Sequence, residues 1–153
     1  MILMGSTYFF QCYSDFESKD IDMIEIVDDP NIKNVAILRG QGLDYYYFKR
    51  RSKEQWIKDA LNSKLALFIC KFLIPEFNNL IGFTIEDLPL LYPQVEKLDE
   101  KHSYVKIIFD SYIKNKSFTL TDEQRLEAYK EYKRTRIKYY KEESKWIKNL
   151  MET

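Results

Sequence analysis

Gly5-Ser6, at the end of the short apolar run Ile2-Leu3-Met4, and Asp20-Ile21-Asp22, after thirteen intervening residues, are the residues whose types and spacing could do chemistry. On a strand, side chains two apart share a face, so Asp20 and Asp22 aim at one spot while Ile21 and Met23 face the other layer. Carboxylates fixed on a rigid element suit two hard Mg²⁺ ions, about 3.5 to 4 Å apart, that clamp the attacking and leaving oxygens of a phosphoryl transfer. Gly5-Ser6 offers the complement: glycine at a strand-to-helix turn lets a phosphate approach the backbone, and the first N–H groups of the following helix are anion donors. Without a ligand, the same residues read as a turn with a helix N-cap and two aspartates at a strand mouth. Such neighbouring carboxylates repel, and a cation or a base relieves the repulsion.

Taken in order, the apolar strand, Gly-Ser, the spacer and Asp-apolar-Asp resemble the signature of the nucleotidyltransferase superfamily related to DNA polymerase β, including small predicted members from bacteria and phages. The resemblance lies in the first third of the chain. It implies an α+β fold, a minimal nucleotidyltransferase-like mixed sheet with helices over 1–51, followed by a mostly helical C-terminal half over 52–153 packed on that core. It also implies a third carboxylate on the next core strand. Glu25 alternates onto the wrong face, whereas Asp44 opens the aromatic run Asp44-Tyr45-Tyr46-Tyr47-Phe48 after the turn signal Arg39-Gly40-Gln41-Gly42. The alternative reading is that Asp44 merely begins a strand after the turn.

By this resemblance, Asp20, Asp22 and Asp44 are the catalytic, metal-holding residues for Mg²⁺ or Mn²⁺. Gly5 and Ser6 grip the β and γ phosphates of a nucleoside triphosphate. Lys49 and Arg50, with Arg51 beside them and Arg39 as a weaker candidate, neutralise triphosphate charge. The implied reaction moves a nucleoside monophosphate from an NTP to a hydroxyl on RNA, protein or a small molecule. Two other readings stay open: a catalytically inactive member that binds nucleotide or a partner, and a helical interaction module with no nucleotide site.

Composition narrows the remaining classes. Lys+Arg and Asp+Glu are each 24, so net charge argues neither for nor against nucleic acid. The distribution is uneven: Asp15 to Asp29 is acid-rich with Lys19 as its one base, and Lys130 to Lys148 is rich in lysine and arginine. Cys12 and Cys70 have no ligand spacing, which argues against a zinc site or a disulfide framework, and His102 as the single histidine excludes His-based triads and His-rich metal sites. No apolar run approaches the roughly 20 residues a bilayer requires, and the start lacks a signal peptide's layout, so the expectation is a cytoplasmic protein with no membrane partner. Heavy use of Lys, Ile, Tyr and Phe fits an AT-rich coding sequence of the kind a phage or low-GC bacterium carries.

The elements that must position these residues follow from periodicity. Ile2–Met4, Ile21–Val27, Val35–Leu38 and Tyr45–Lys49 read as strands, with a short helix over Thr7–Tyr13. Ser52 with Gln55, and Thr121 with Gln124, form capping boxes that open helices. Leu65–Ile74 is apolar all round and reads as one buried helix closed by Pro75, and Asn78–Pro93 reads as loop with short helical pieces. Helices are expected over Gln94–Asp99, Ser103–Lys114 and Asp122–Leu150. On the last, Leu126, Tyr129, Tyr132, Ile137, Tyr140, Ile147 and Leu150 recur at helical spacing as a face for packing or homo-oligomer formation, with polyanion contact by its basic residues ranked second.

Overall fold

Four short strands form one mixed sheet: β1 (Ile2–Met4), β2 (Ile21–Val27), β3 (Val35–Gly40) and β4 (Leu43–Lys49), in spatial order β1-β2-β4-β3. The structure, a computed structural model, describes residues 2–17, 21–28, 35–40, 42–63 and 67–152, without the side chains of 35–39, 67–68 and 138–152. β2 runs antiparallel to β1 and parallel to β4, while β3 returns antiparallel to β4. Alternation gives the sheet two unlike faces. Ile2, Met4, Ile24, Tyr46 and Phe48 are buried on the face turned to the helices, whereas Leu3, Met23, Tyr45 and Tyr47 on the other face are half-buried.

The helical remainder makes this an α+β fold. Helix α1 (Gly5–Phe10) follows β1 directly, and α2 (Lys53–Asn62) begins where the Ser52 side chain accepts from the Gln55 backbone N–H at 3.1 Å. Of the single buried helix expected over Leu65–Ile74, Leu65 and Ala66 lie outside the described residues, and the rest is α3 (Leu67–Cys70), a 3-10 turn (Lys71–Leu73) and an extended Ile74. Pro75 explains the break: it drives the residue before it out of the helical region, and its own fixed φ opens α4 (Pro75–Ile81). Asn78–Pro93, expected as loop with short helical pieces, contains the end of α4 and a 3-10 helix over Ile85–Leu91 with a Thr84–Asp87 capping box. Pro93 lies in the first turn of α5 (Tyr92–Val95), which therefore starts earlier and ends sooner than the helix expected over Gln94–Asp99.

Helices α6 (Ser103–Asn115) and α7 (Asp122–Glu152) complete the fold. The Thr121–Gln124 box caps α7, with Gln124 N–H donating to Thr121 Oγ1 at 3.1 Å and Thr121 N–H to Gln124 Oε1 at 3.0 Å. Ala128, Tyr129, Tyr132 and Thr135 form its buried stripe; Leu126 and Ile137, expected in that stripe, are 41% and 58% exposed. Tyr140, Ile147 and Leu150 have side chains outside the described residues. Part of the basic stretch holds α7 to its own chain: Lys133 pairs with Asp15, and Arg134 with Glu131 and Glu100. One buried cluster runs from Ile2 to Tyr132 and joins the sheet to both long helices. Among the described residues, no helix is long and apolar enough to cross a membrane.

Lys71 is fully buried, its Nζ 5.0 Å from the ring centre of Phe48 and 5.3 Å from those of Trp56 and Phe72. Burial lowers its pKa to about 7; Arg51 adds to the drop, and Asp59 and Cys70 oppose it. The folded pKa lies below the unfolded value, so from about pH 7 to 10 the unfolded chain holds more protons and stability rises with pH. Burial raises the phenols of Tyr104 and Tyr112, so their contribution is full below pH 10 and is lost as pH rises through it. We therefore expect urea melts to show stability climbing from pH 7 to about 9.5, then falling. Lys71→Met should flatten the climb, and a parent protein equally stable at pH 7 and 9.5 would contradict the assignment.

Candidate functional site

The strand register lays Met4, Asp22, Asp44 and Arg39 across the sheet in one row. Register partners share a face, so Asp22 and Asp44 project from adjacent parallel strands toward the helix-covered side, with backbones about 4.8 Å apart. Both are half-buried, at the end of the sheet where β1 finishes and β2 and β4 begin. The antiparallel pairing of β1 with β2 brings the Met4-Gly5 junction to this same end. Gly5 has φ +72°, and a β-carbon added there would lie 3.4 Å from Asp22 Oδ2. The chain thus turns from strand to helix directly against the carboxylate, in a left-handed conformation that favours glycine. Ser6 follows in the first turn of α1 and is half-buried.

The inner wall near Asp22 comes from α3 and α6. Burial pushes the Cys70 thiol up to about 12, and the charge of Asp22 adds to the rise. Desolvation thus favours the neutral thiol at Cys70. The Tyr104 phenol is raised well above its usual range, chiefly by burial; Cys70, Tyr132 and Asp22 raise it further and Arg136 opposes them. Hard carboxylate oxygens from Asp22 and Asp44 on paired strands are suitable donors for Mg²⁺ or Mn²⁺.

Asp20 lies outside the described residues, as do Ser18 and Lys19 before it. Among the described residues no group of three or more His, Cys, Asp or Glu is placed to hold a metal ion; the sheet brings Asp22 and Asp44 together as a pair. Lys49 and Arg50 do not join them. Lys49 sits opposite Val27 at the far end of the β2–β4 pairing, and Arg50 Nε donates to Asp28 Oδ1 at 2.9 Å. The physical reason is strand geometry: five extended residues from Asp44 to Lys49 cover about 16 Å, and the odd spacing turns Lys49 to the opposite face. Arg51 is drawn elsewhere too, against Asp59 and over the Trp56 ring at 4.4 Å.

Cys70 and Tyr104 come within reach of the Asp22 charge from distant segments, Arg136 acts on the same Tyr104 phenol, and no local sequence pattern marks the three. The one legible trace is that Tyr129, Tyr132 and Arg136 follow helical spacing. A separate groove of about 620 Å³ lies between α1 and the start of α7, lined by residues including Tyr8, Gln11, Cys12, Tyr13, Asp122 and Arg125. Asp22 and Asp44 do not line it.

Gly5→Ala should destabilise the protein by about 1–2 kcal/mol, because the new methyl adopts a left-handed backbone and meets the Asp22 carboxylate. Chemical denaturation checks this, and an unchanged midpoint would show that the turn does not have the conformation described. Compared with family models, with curated proteins and with solved structures, the chain has no match in any of the three.

Proposed function

We propose that the chain is a metal-dependent nucleotidyltransferase. What supports the reading is one juxtaposition: Asp22 and Asp44 in register on adjacent strands, with the Gly5 turn against the Asp22 carboxylate. Asp22 and Asp44, with Asp20 beside them in sequence, would hold Mg²⁺ or Mn²⁺, which supplies charge neutralisation at the phosphates. The Gly5-Ser6 turn would bring backbone close to the β and γ phosphates. An acceptor hydroxyl oxygen bonds to the α phosphorus, the bond to the bridging oxygen breaks, pyrophosphate leaves, and the hydroxyl proton passes to Asp44 or to solvent. Such chemistry depends mainly on positioning and charge, which a small rigid sheet can supply. RNA, protein or a small molecule would be the acceptor, in a cytoplasmic setting.

A second reading, nucleotide or partner binding without turnover, is favoured by the distance of Lys49 and Arg50 from the aspartates. Calorimetry with Mn²⁺ and each NTP, followed by assay of pyrophosphate release, separates the two. Asp22→Asn should abolish Mn²⁺-dependent NTP binding and leave the metal-free protein as stable as the parent or slightly more so, since it relieves like-charge repulsion. A metal-free mutant that melts well below the parent would make Asp22 a structural partner of a base and remove the basis of the reading.

A further inference from the structure

We propose that Arg136 meets the phosphates of a nucleotide held at Asp22 and Asp44; the inference rests on the reading of that site given above. Helix α7 packs along the segment that leads from α1 toward β2. Arg125 Nη1 donates to the Phe9 carbonyl at 2.8 Å, and the Tyr129 hydroxyl donates to Asp15 Oδ1 at 2.7 Å. The Tyr132 ring lies 5.9 Å from Phe16, 5.2 Å from Phe10 and 5.3 Å from Tyr104. Residues three or four apart share a helix face, so Arg125, Tyr129 and Tyr132 form the face of α7 that packs on residues 9–16. Arg136 is the next side chain on that face, one turn beyond Tyr132.

Its guanidinium is held 5.0 Å from the Tyr132 ring centre. The Nε atom is sealed from solvent and has no hydrogen-bond partner among the described residues. Arg50, Arg51, Arg125 and Arg134 each donate to an oxygen of the chain. A buried donor without a partner is costly, and a stacked, planar guanidinium has the fork that matches phosphate oxygens. Arg136 and Asp22 also act with opposite signs on the same buried phenol, Tyr104, which lies in ring contact with Tyr132. A cation and a metal-binding carboxylate around one aromatic wall is the charge arrangement a metal–triphosphate complex requires. With Lys49 and Arg50 at the far end of the sheet, Arg136 fills the role they were expected to play.

Calorimetry with Mn²⁺ alone and with Mn²⁺ plus each nucleoside triphosphate tests this on the parent, Asp22→Asn, Arg136→Gln and Arg136→Lys, with thermal melts alongside. Arg136→Gln should weaken triphosphate binding by about tenfold or more and leave Mn²⁺ binding unchanged, with Arg136→Lys intermediate because it keeps the charge and loses the fork. Should Arg136→Gln fail to fold, Arg136→Lys decides, and parental triphosphate affinity in that variant overturns the inference. If the parent binds triphosphate through Asp22 and Arg136→Gln binds it equally well, Arg136 is overturned and the site reading stands. A parent that binds neither metal nor triphosphate overturns both.

Discussion

The burial of Phe10 is the contact on which the rest of the arrangement depends. Its ring is fully enclosed and lies 5.2 Å from Tyr129, 5.2 Å from Tyr132 and 5.6 Å from Tyr104, with Phe9 and Phe16 at its edges. An aromatic side chain enclosed in this way contributes on the order of 3 kcal/mol or more, and removing it leaves a cavity that its neighbours cannot fill. Phe10 ends α1, so fixing it fixes the six-residue helix that begins at Gly5. The Gly5 turn is thereby held against Asp22, and α6 and α7 are joined to the first strand. The helix is too short to be stable alone, which makes tertiary packing the source of its order.

That packing also explains how a pair of acidic side chains comes to face the covered side of the sheet. Asp22 and Asp44 continue the rows occupied further along by Ile24, Tyr46 and Phe48. Apolar residues fill those rows in the middle of the sheet, and at its end the same rows carry charge. Carboxylates partly withdrawn from water interact more strongly with cations than surface carboxylates do, because screening is weaker there. The aromatic wall of Phe10, Tyr104 and Tyr132 therefore holds the fold together and also sets the electrostatic surroundings of the candidate site.

Much of the fold was legible in local patterns. The alternation in Ile21–Val27 identified a strand and set Glu25 on the face opposite Asp22, whereas the β2–β4 register that puts Asp44 on the Asp22 face is a long-range property. Ser52 and Thr121 marked helix starts because a side-chain oxygen three residues before an orphan N–H is a local, short-range signal. Other features were illegible for equally physical reasons. Leu65–Ile74 is apolar on every side, so periodicity could not show where a helix ends and a 3-10 turn begins. Leu126 and Ile137 fit a helical stripe, yet the stripe that packs is centred on Ala128 and Tyr132. Lys49 and Arg50 are near Asp44 in sequence but far along an extended strand. Cys70, Tyr104 and Arg136 depend on long-range packing, which no window of sequence contains.

The central claim is that Asp22 and Asp44 form the protein's divalent-cation centre beside the Gly5 turn. Its most direct measurement is a crystal structure of Mn²⁺-soaked protein with anomalous scattering recorded near the manganese edge. The account predicts an anomalous peak between the two carboxylates, within about 2.0 to 2.3 Å of an oxygen from each. A peak elsewhere, or none at that position with metal in excess, would contradict it.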